Sequence, residues 1–328
     1  MENVKRIFKG REFFVFLAMV LIFLLVGIVN PTFLDIKNIL LTLNSSVVYA
    51  IIAVGISFVI ITGEIDVSIG ATLGISATIA GSMIRDGYSW MLALLVAVLI
   101  GVIIGIINCV GVIYLKIPSI IMTLGTNGIV RGMCYVFTGG KWVENIPFEY
   151  KALSQAGIGN VTYFYIITVA IAIGVHLILT KTKKGRYFAA VGDNADGAIL
   201  IGIPVKKTKA IAFILCAIFA SVGGMIYISR TGFVTPTVGN GYEMKAIAAC
   251  VLGGISLTGG VGTVIGSVFG AVIMASIPRI LVFLQFSSDY DNMITGLLLI
   301  TIVVLDALLQ NRSAENARKQ RLSARINL

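Results

Sequence analysis

Runs of apolar residues long enough to cross a lipid bilayer recur along the whole chain, and they limit its fold more than any other feature. A hydrocarbon core about 30 Å thick takes about 20 residues of helix, somewhat fewer or more with tilt. On that ruler spans fall near 13–29, 40–61, 67–84, 90–114, 117–137, 162–179, 209–228, 244–257, 261–283 and 292–309. That makes about ten, with 244–257 short enough to be a broken or re-entrant helix. Inside lipid each backbone N–H and C=O needs a partner within the protein, so the runs are expected as helices. Composition agrees. Only 12% of the residues are charged and mean hydropathy is +1.00, whereas a soluble domain carries about 25% charge. An unusually apolar soluble α/β enzyme would need polar helix faces that are missing. Gly is abundant (36) and Pro rare (6), which suits backbones that approach closely in lipid. The expected fold is an all-α integral membrane bundle, one transmembrane domain over 1–328.

The net charge of +10 matters less than where it sits. Lys5, Arg6, Lys9 and Arg11 precede the first span. Lys181, Lys183, Lys184, Arg186, Lys206, Lys207 and Lys209 share one central stretch, and Arg312, Arg318, Lys319, Arg321 and Arg325 lie in the tail. Under the positive-inside rule these mark 1–12, 180–209 and 310–328 as cytoplasmic. With the N-terminus inside, every loop after an even-numbered span faces the cytoplasm, which places both basic segments correctly and the C-terminus inside. The clusters flank apolar spans without interleaved aromatics, so they indicate topology and lipid rather than a nucleic-acid partner. The basic start before Phe13–Val29 resembles a signal peptide, but the run is long and lacks a small-x-small end, so an uncleaved first span is expected. Of the outer loops, 138–161 is the long one; with Trp142, Pro147 and Tyr150 it would cap a pathway, receive a partner, or contribute to an interfacial aromatic belt.

Chemistry-bearing residues are few. Cys109, Cys134, Cys216 and Cys250 stand singly, without CxxC spacing, and His176 is the lone histidine, so neither a disulfide framework nor a metal site is expected. No residue set pairs a nucleophile with a base, so no catalytic site is expected. Two breaks between paired spans carry more information. In Thr62–Ser68, Glu64 and Asp66 lie between apolar spans, and a charge at the bilayer centre costs several kcal/mol. Asp66 either caps the next helix or lines a polar route. In Leu257–Gly262 the glycines free the backbone, but without a Walker pattern any ATP hydrolysis belongs to another chain. Neutral polar side chains inside the spans (Asn44, Ser45, Ser46, Ser57, Ser76, Asn108, Thr123, Thr126, Asn127) suit hydrogen bonding to an uncharged polyhydroxylated solute, or between helices. From these regions Asn44, Ser45, Asp66, Ser68, Asn108, Thr123, Asn127, Glu243 and Thr258 are the pathway candidates. Arg131 either snorkels or neutralises a carboxylate. The stretches 49–74 and 245–270 share an Ala/Ile-rich span, a Gly-broken turn and a Gly/Ser/Ala-rich span. They suggest a two-fold internal repeat of the kind transporters use, with chance likeness of Gly/Ala-rich spans as the alternative.

The central stretch Gly185–Ile203 is the most specific local feature. Asp193 or Asn194 can cap a short helix over 195–201, and Gly202 with Pro204 stops it. A short, small-residue helix outside the bundle suits docking to a soluble partner. Gly185, Arg186, Gly192, Asn194, Gly197, Ala198 and Gly202 are the residues expected to carry it.

That stretch, Ile65-Asp-Val-Ser-Ile-Gly70 and Gly241–Gly260 make the sequence resemble, over nearly its whole length, the permease subunits of bacterial sugar ABC importers of the ribose, arabinose, galactose and xylose type. Within that family Leu115–Thr126 with Arg131-Gly132, Thr138–Glu144 and Glu243–Ser256 resemble most the permeases of autoinducer-2 importers. The resemblance implies a multi-pass protein of the bacterial inner membrane that translocates a sugar-like solute, autoinducer-2 or else ribose, rhamnose or another monosaccharide. It implies as partners a second permease subunit (identical or paralogous), a cytoplasmic ABC ATPase that binds the ATP and Mg, and an extracytoplasmic substrate-binding protein, with no cofactor in this chain. On it, 185–203 holds the coupling helix and 138–161 faces the binding protein. The family usually has Gly where Glu64 stands, so no role for Glu64 is inherited. The competing readings are a secondary transporter in which Glu64 or Asp66 carries a proton, and a membrane scaffold without transport.

Overall fold

The structure is a computed structural model that describes residues 11–304 and 307–308. The basic tail and Lys5, Arg6 and Lys9 lie outside the described residues. The chain runs through α1 (Arg11–Val29), a 3-10 turn (Pro31–Leu34), α2 (Ile36–Ser45), α3 (Val47–Ile61), α4 (Ile69–Arg85) and α5 (Trp90–Cys109), which ends in a π turn (Val110–Tyr114). Then come α6 (Ser119–Thr138), α7 (Phe148–Leu153), a two-stranded hairpin of β1 (Gly157–Ile158) and β2 (Val161–Thr162), and α8 (Tyr163–Lys181). Last are α9 (Lys183–Asp193), α10 (Ala195–Leu200), α11 (Val205–Thr231), α12 (Tyr242–Leu252), α13 (Val264–Phe283) and α14 (Tyr290–Val304).

Among the described residues, α1, α5 with its π turn, α6, α8, α11 and α13 are each long and apolar enough to span a membrane, and α2 with α3, bent by 44°, makes a seventh. Where the sequence led to an expectation of about ten, the described residues hold six or seven full-length spans, with α4 and α14 as shorter apolar helices and α12 as an 11-residue helix. The physical reason is burial. Helices α4 and α12 are walled by protein rather than lipid, so they need neither full length nor an unbroken apolar surface. The bend before α3 has a local cause, because the Ser45 and Ser46 hydroxyls donate back to the carbonyls of Thr42 and Leu43, each at 2.7 Å.

The core sits around α3 and α11. Apart from Tyr49, every residue of α3 is buried, as expected of a helix that is hydrophobic all round. Helix α11 packs on α3, α4 and α5. Glycine allows backbones to approach closely here: a Cβ at Gly105 of α5 would stand 2.8 Å from the Ile214 Cα of α11. Helices α12 and α13 pack beside α3, and α1 closes over α13. The lipid-facing helices show the reverse pattern, with Ile103, Ile121, Ile129 and Val136 among many exposed apolar side chains.

Contacts between loops gather at two ends of the bundle. At one end the turn after α3, the turn before α13 and the helix α9 meet. At the other, an isolated bridge joins Val143 to Val234, Trp142 stacks on Phe233 with ring centroids 5.5 Å apart, and the Tyr150 hydroxyl donates to the Met225 carbonyl at 2.8 Å. Helices α8 and α11 each run from one end to the other.

Candidate functional site

The break 62–68 is held by side chains from two other helices. Asp66 is fully buried, and its Oδ1 accepts from the Ser68 N–H at 2.8 Å and the Ser68 hydroxyl at 2.6 Å. Asn108 of α5 donates to Ser68 Oγ at 2.8 Å, and Thr126 of α6 donates to Asn108 Oδ1 at 2.7 Å. The Thr123 hydroxyl accepts from the Val67 N–H at 3.0 Å, and that of Ser119 from the Ile65 N–H at 3.2 Å. Four expected pathway residues, Asp66, Ser68, Asn108 and Thr123, are thus brought into one place. All are buried. Asp66 closes a turn onto Ser68 just before α4 rather than capping the helix with its side chain, and its neighbours supply the backbone partners an unwound segment lacks. Ser119, which escaped sequence reading, carried the signal of a hydroxyl at the first turn of a helix after Pro118. Glu64 pairs with Lys209 Nζ at 2.6 Å, tying the break to the start of α11.

The second break lies directly against the first. The Gly260 N–H donates to the Ile61 carbonyl at 2.9 Å. Gly192, near the end of α9, fits where both breaks meet: a Cβ there would collide with the Ile61 carbonyl oxygen and stand 2.5 Å from the Gly260 nitrogen. A Cβ on Gly260 would in turn lie 2.9 Å from the Asp193 Cα. Backbone touches backbone across three segments. Thr258 is exposed in this turn and shares a 3.0 Å hydrogen bond with Ser256.

Beyond Gly192 the expected capped helix is present as α10. Asn194 Oδ1 accepts from the Gly197 N–H at 2.8 Å, and Gly202 at φ +80 turns the chain back, a conformation natural to Gly. Gly185 lets α9 pack on the end of α8, where a Cβ would stand 2.6 Å from the Leu179 Cα. Arg186 is exposed. One detail differs from the sequence-based expectation of a small-residue docking face. Ala198 is buried against Val191 and Ile203, and the exposed side of the protrusion is instead Ile199 (60%), Leu200 (87%) and Ile201 (75%). The preceding helix α9 was legible only as a loop, because Gly185 and Gly192 mask its helical pattern.

At the opposite half of the bundle, Glu243 meets Arg131 at 3.3 Å, so Arg131 neutralises a carboxylate rather than snorkelling. Beside it Tyr49 stacks on Tyr242 with centroids 4.8 Å apart, and Tyr227 meets Tyr242 edge-on at 6.2 Å. Lys245 pairs with Asp291 and lies over the Tyr49 ring. These tyrosines went unread in the sequence; their signal was a set of hydroxyls in apolar helices, which need polar partners. Asn44 and Ser45 line a separate cavity of about 400 Å³ between α2, the β1–β2 hairpin and the ends of α11 and α13. Asn127 Oδ1 is buried without a hydrogen bond. The nine pathway candidates therefore fall in several places rather than along one lined route. No group of three or more His, Cys, Asp or Glu able to hold a metal occurs among the described residues.

The family described as "Branched-chain amino acid transport system / permease component" matches residues 38–303. The chain is 38% identical to the autoinducer 2 import system permease protein LsrC of Salmonella typhi over 99% of its own length and 93% of that protein. It is equally 38% identical to the LsrC permease of Escherichia coli O9:H4 (strain HS), over 97% of this chain and 93% of that one. No solved structure matches it. The matched range takes in both breaks and the α9–α10 protrusion, and the chain belongs to this permease family, as a sugar-type importer permease that moves a solute and is not itself an enzyme.

Proposed function

We propose that this chain is the membrane-spanning half of an ATP-driven importer for a small sugar-like solute, autoinducer-2 in the first place, in the bacterial inner membrane. The observation that carries the reading is the seat of Gly192 against both breaks. A rigid backbone contact there transmits a displacement of the protrusion to the turns of two helix hairpins at once, the rigid-body coupling that gated transport requires. The apolar tip Ile199–Leu200–Ile201 supplies the docking surface for a cytoplasmic ATPase, which would hold the ATP and Mg. A substrate-binding protein would meet the other end, where 138–161 lies, and a second permease subunit would complete the path. Counting α4, α12 and α14 with the longer helices gives ten spans. Basic Lys183, Lys184, Arg186, Lys206 and Lys207 at the protrusion's end then orient it to the cytoplasm, with both termini inside. The units α3–α4 and α12–α13, each broken by a turn and meeting at those turns, support an internal repeat.

Ribose, rhamnose or another monosaccharide is the alternative cargo, since neutral hydroxyl and amide donors serve any of these. Proton carriage by Glu64 is disfavoured by its 2.6 Å pair with Lys209. Uptake into vesicles separates the readings. Import that needs ATP and a co-expressed ATPase, and survives collapse of the proton gradient, is expected; import by this chain alone on a pH step would refute the proposal.

A further inference from the structure

We propose that the cavity of about 400 Å³ at the α11 end of the bundle is a binding site for a small oxyanion, a carboxylate or phosphate group. Two guanidinium groups line it, Arg230 from the last turn of α11 and Arg279 from α13, and no Asp or Glu does. The ion pairs among the described residues all use other cations. Arg279 Nε is buried and makes no hydrogen bond, while Arg230 Nη1 donates to the Asn44 carbonyl. A charge withdrawn from water toward an apolar bundle is costly unless an opposite charge meets it.

Two other polar side chains on the wall, Asn44 and Ser45, are already engaged. Asn44 donates to the Asn160 carbonyl at 2.8 Å and accepts from the Thr162 N–H at 3.0 Å. The Ser45 hydroxyl donates to the Thr42 carbonyl at 2.7 Å. These bonds build the rim; Arg279 and the remaining N–H groups of Arg230 face the cavity as its charged donors, beside the amides of Gln155 and Asn160. Guanidinium presents a planar fork of N–H donors that matches two oxygens of a carboxylate or phosphate. A neutral polyol would satisfy the hydrogen bonds and leave the partly buried Arg279 charge uncompensated, and that decides the class of ligand. The site stands apart from the coupling contacts; it rests on the proposed function only in that the cavity then opens to the extracytoplasmic side.

The test is the thermal unfolding midpoint of the full chain in lipid nanodiscs, titrated with sodium phosphate, sodium acetate, sodium chloride and ribose at matched ionic strength. A saturable rise with phosphate or acetate is expected, absent with chloride and ribose, abolished in Arg279→Gln and partly kept in Arg279→Lys. If Arg279→Gln does not fold, Arg230→Gln at the exposed end of α11 is read instead, with a lowered phosphate affinity expected. Oxyanions acting no better than chloride, protection by ribose in their place, or equal responses of wild type and the Gln variant would each overturn the site. None of those results touches ATP-driven uptake, so the transport reading stands or falls separately. A response to acetate but not phosphate would assign the site to carboxylates, and the converse to phosphates.

Discussion

Asp66 shows how one polar residue acts in an apolar bundle. It closes the loop of its own segment through Ser68, and Asn108 and Thr126 extend the bonding to α5 and α6. Removing such a group strands buried donors, at about 1–3 kcal/mol. Asp66→Leu is therefore expected to lose about that much stability, and Asp66→Asn, which keeps the acceptor, clearly less; unfolding in mixed micelles compares them. Glu64 and Lys209 are a simpler pair, partly exposed at 16% and 21%. A double-mutant cycle of Glu64→Gln and Lys209→Met should give a coupling above the roughly 0.2–1 kcal/mol of exposed pairs, since both side chains are mostly withdrawn from water. The sequence marked Asp66 as a cap or a pathway group, and local spacing could not choose. Nor could it show that Asn108 and Thr126, 42 and 60 positions away, bond into this segment.

Among the elements, α9 and α10 divide their labour. The cap at Asn194 and the stop at Gly202 were legible because capping is a local bargain between neighbouring residues. The orientation of the helix was not, because it depends on Val191 and Ile203 covering Ala198. Leu200→Asp is accordingly expected to leave the fold intact and to lower ATP-coupled uptake several-fold, while Ala198→Arg disrupts the protrusion itself. Expression level and uptake, measured together, separate the two. Gly192→Ala should cost about 1–3 kcal/mol by overpacking and weaken coupling, for its Cβ would strike both breaks. Normal ATP-dependent uptake in a stably inserted Gly192→Ala protein would count against Gly192 as the transmitting contact.

For the whole molecule the prediction concerns sidedness. All four native cysteines are buried, so a membrane-impermeant thiol reagent should label only introduced ones. Asp196→Cys is expected to react from the cytoplasmic side alone and Lys141→Cys from the opposite side alone; labelling of both from one side would overturn the orientation. By itself, the sequence determined the solvent of this protein, the helical state of its apolar runs, and the cap and stop at 194 and 202. Lipid demands internal backbone pairing, and capping acts over a few residues, so these follow from neighbours along the chain. Only the tertiary structure decided that Arg131 meets Glu243, that Lys245 meets Asp291, and that Gly192 seats against two breaks. Such pairings join residues tens to more than a hundred positions apart, and they depend on how each helix is rotated and packed, which an apolar run with no polar face leaves open.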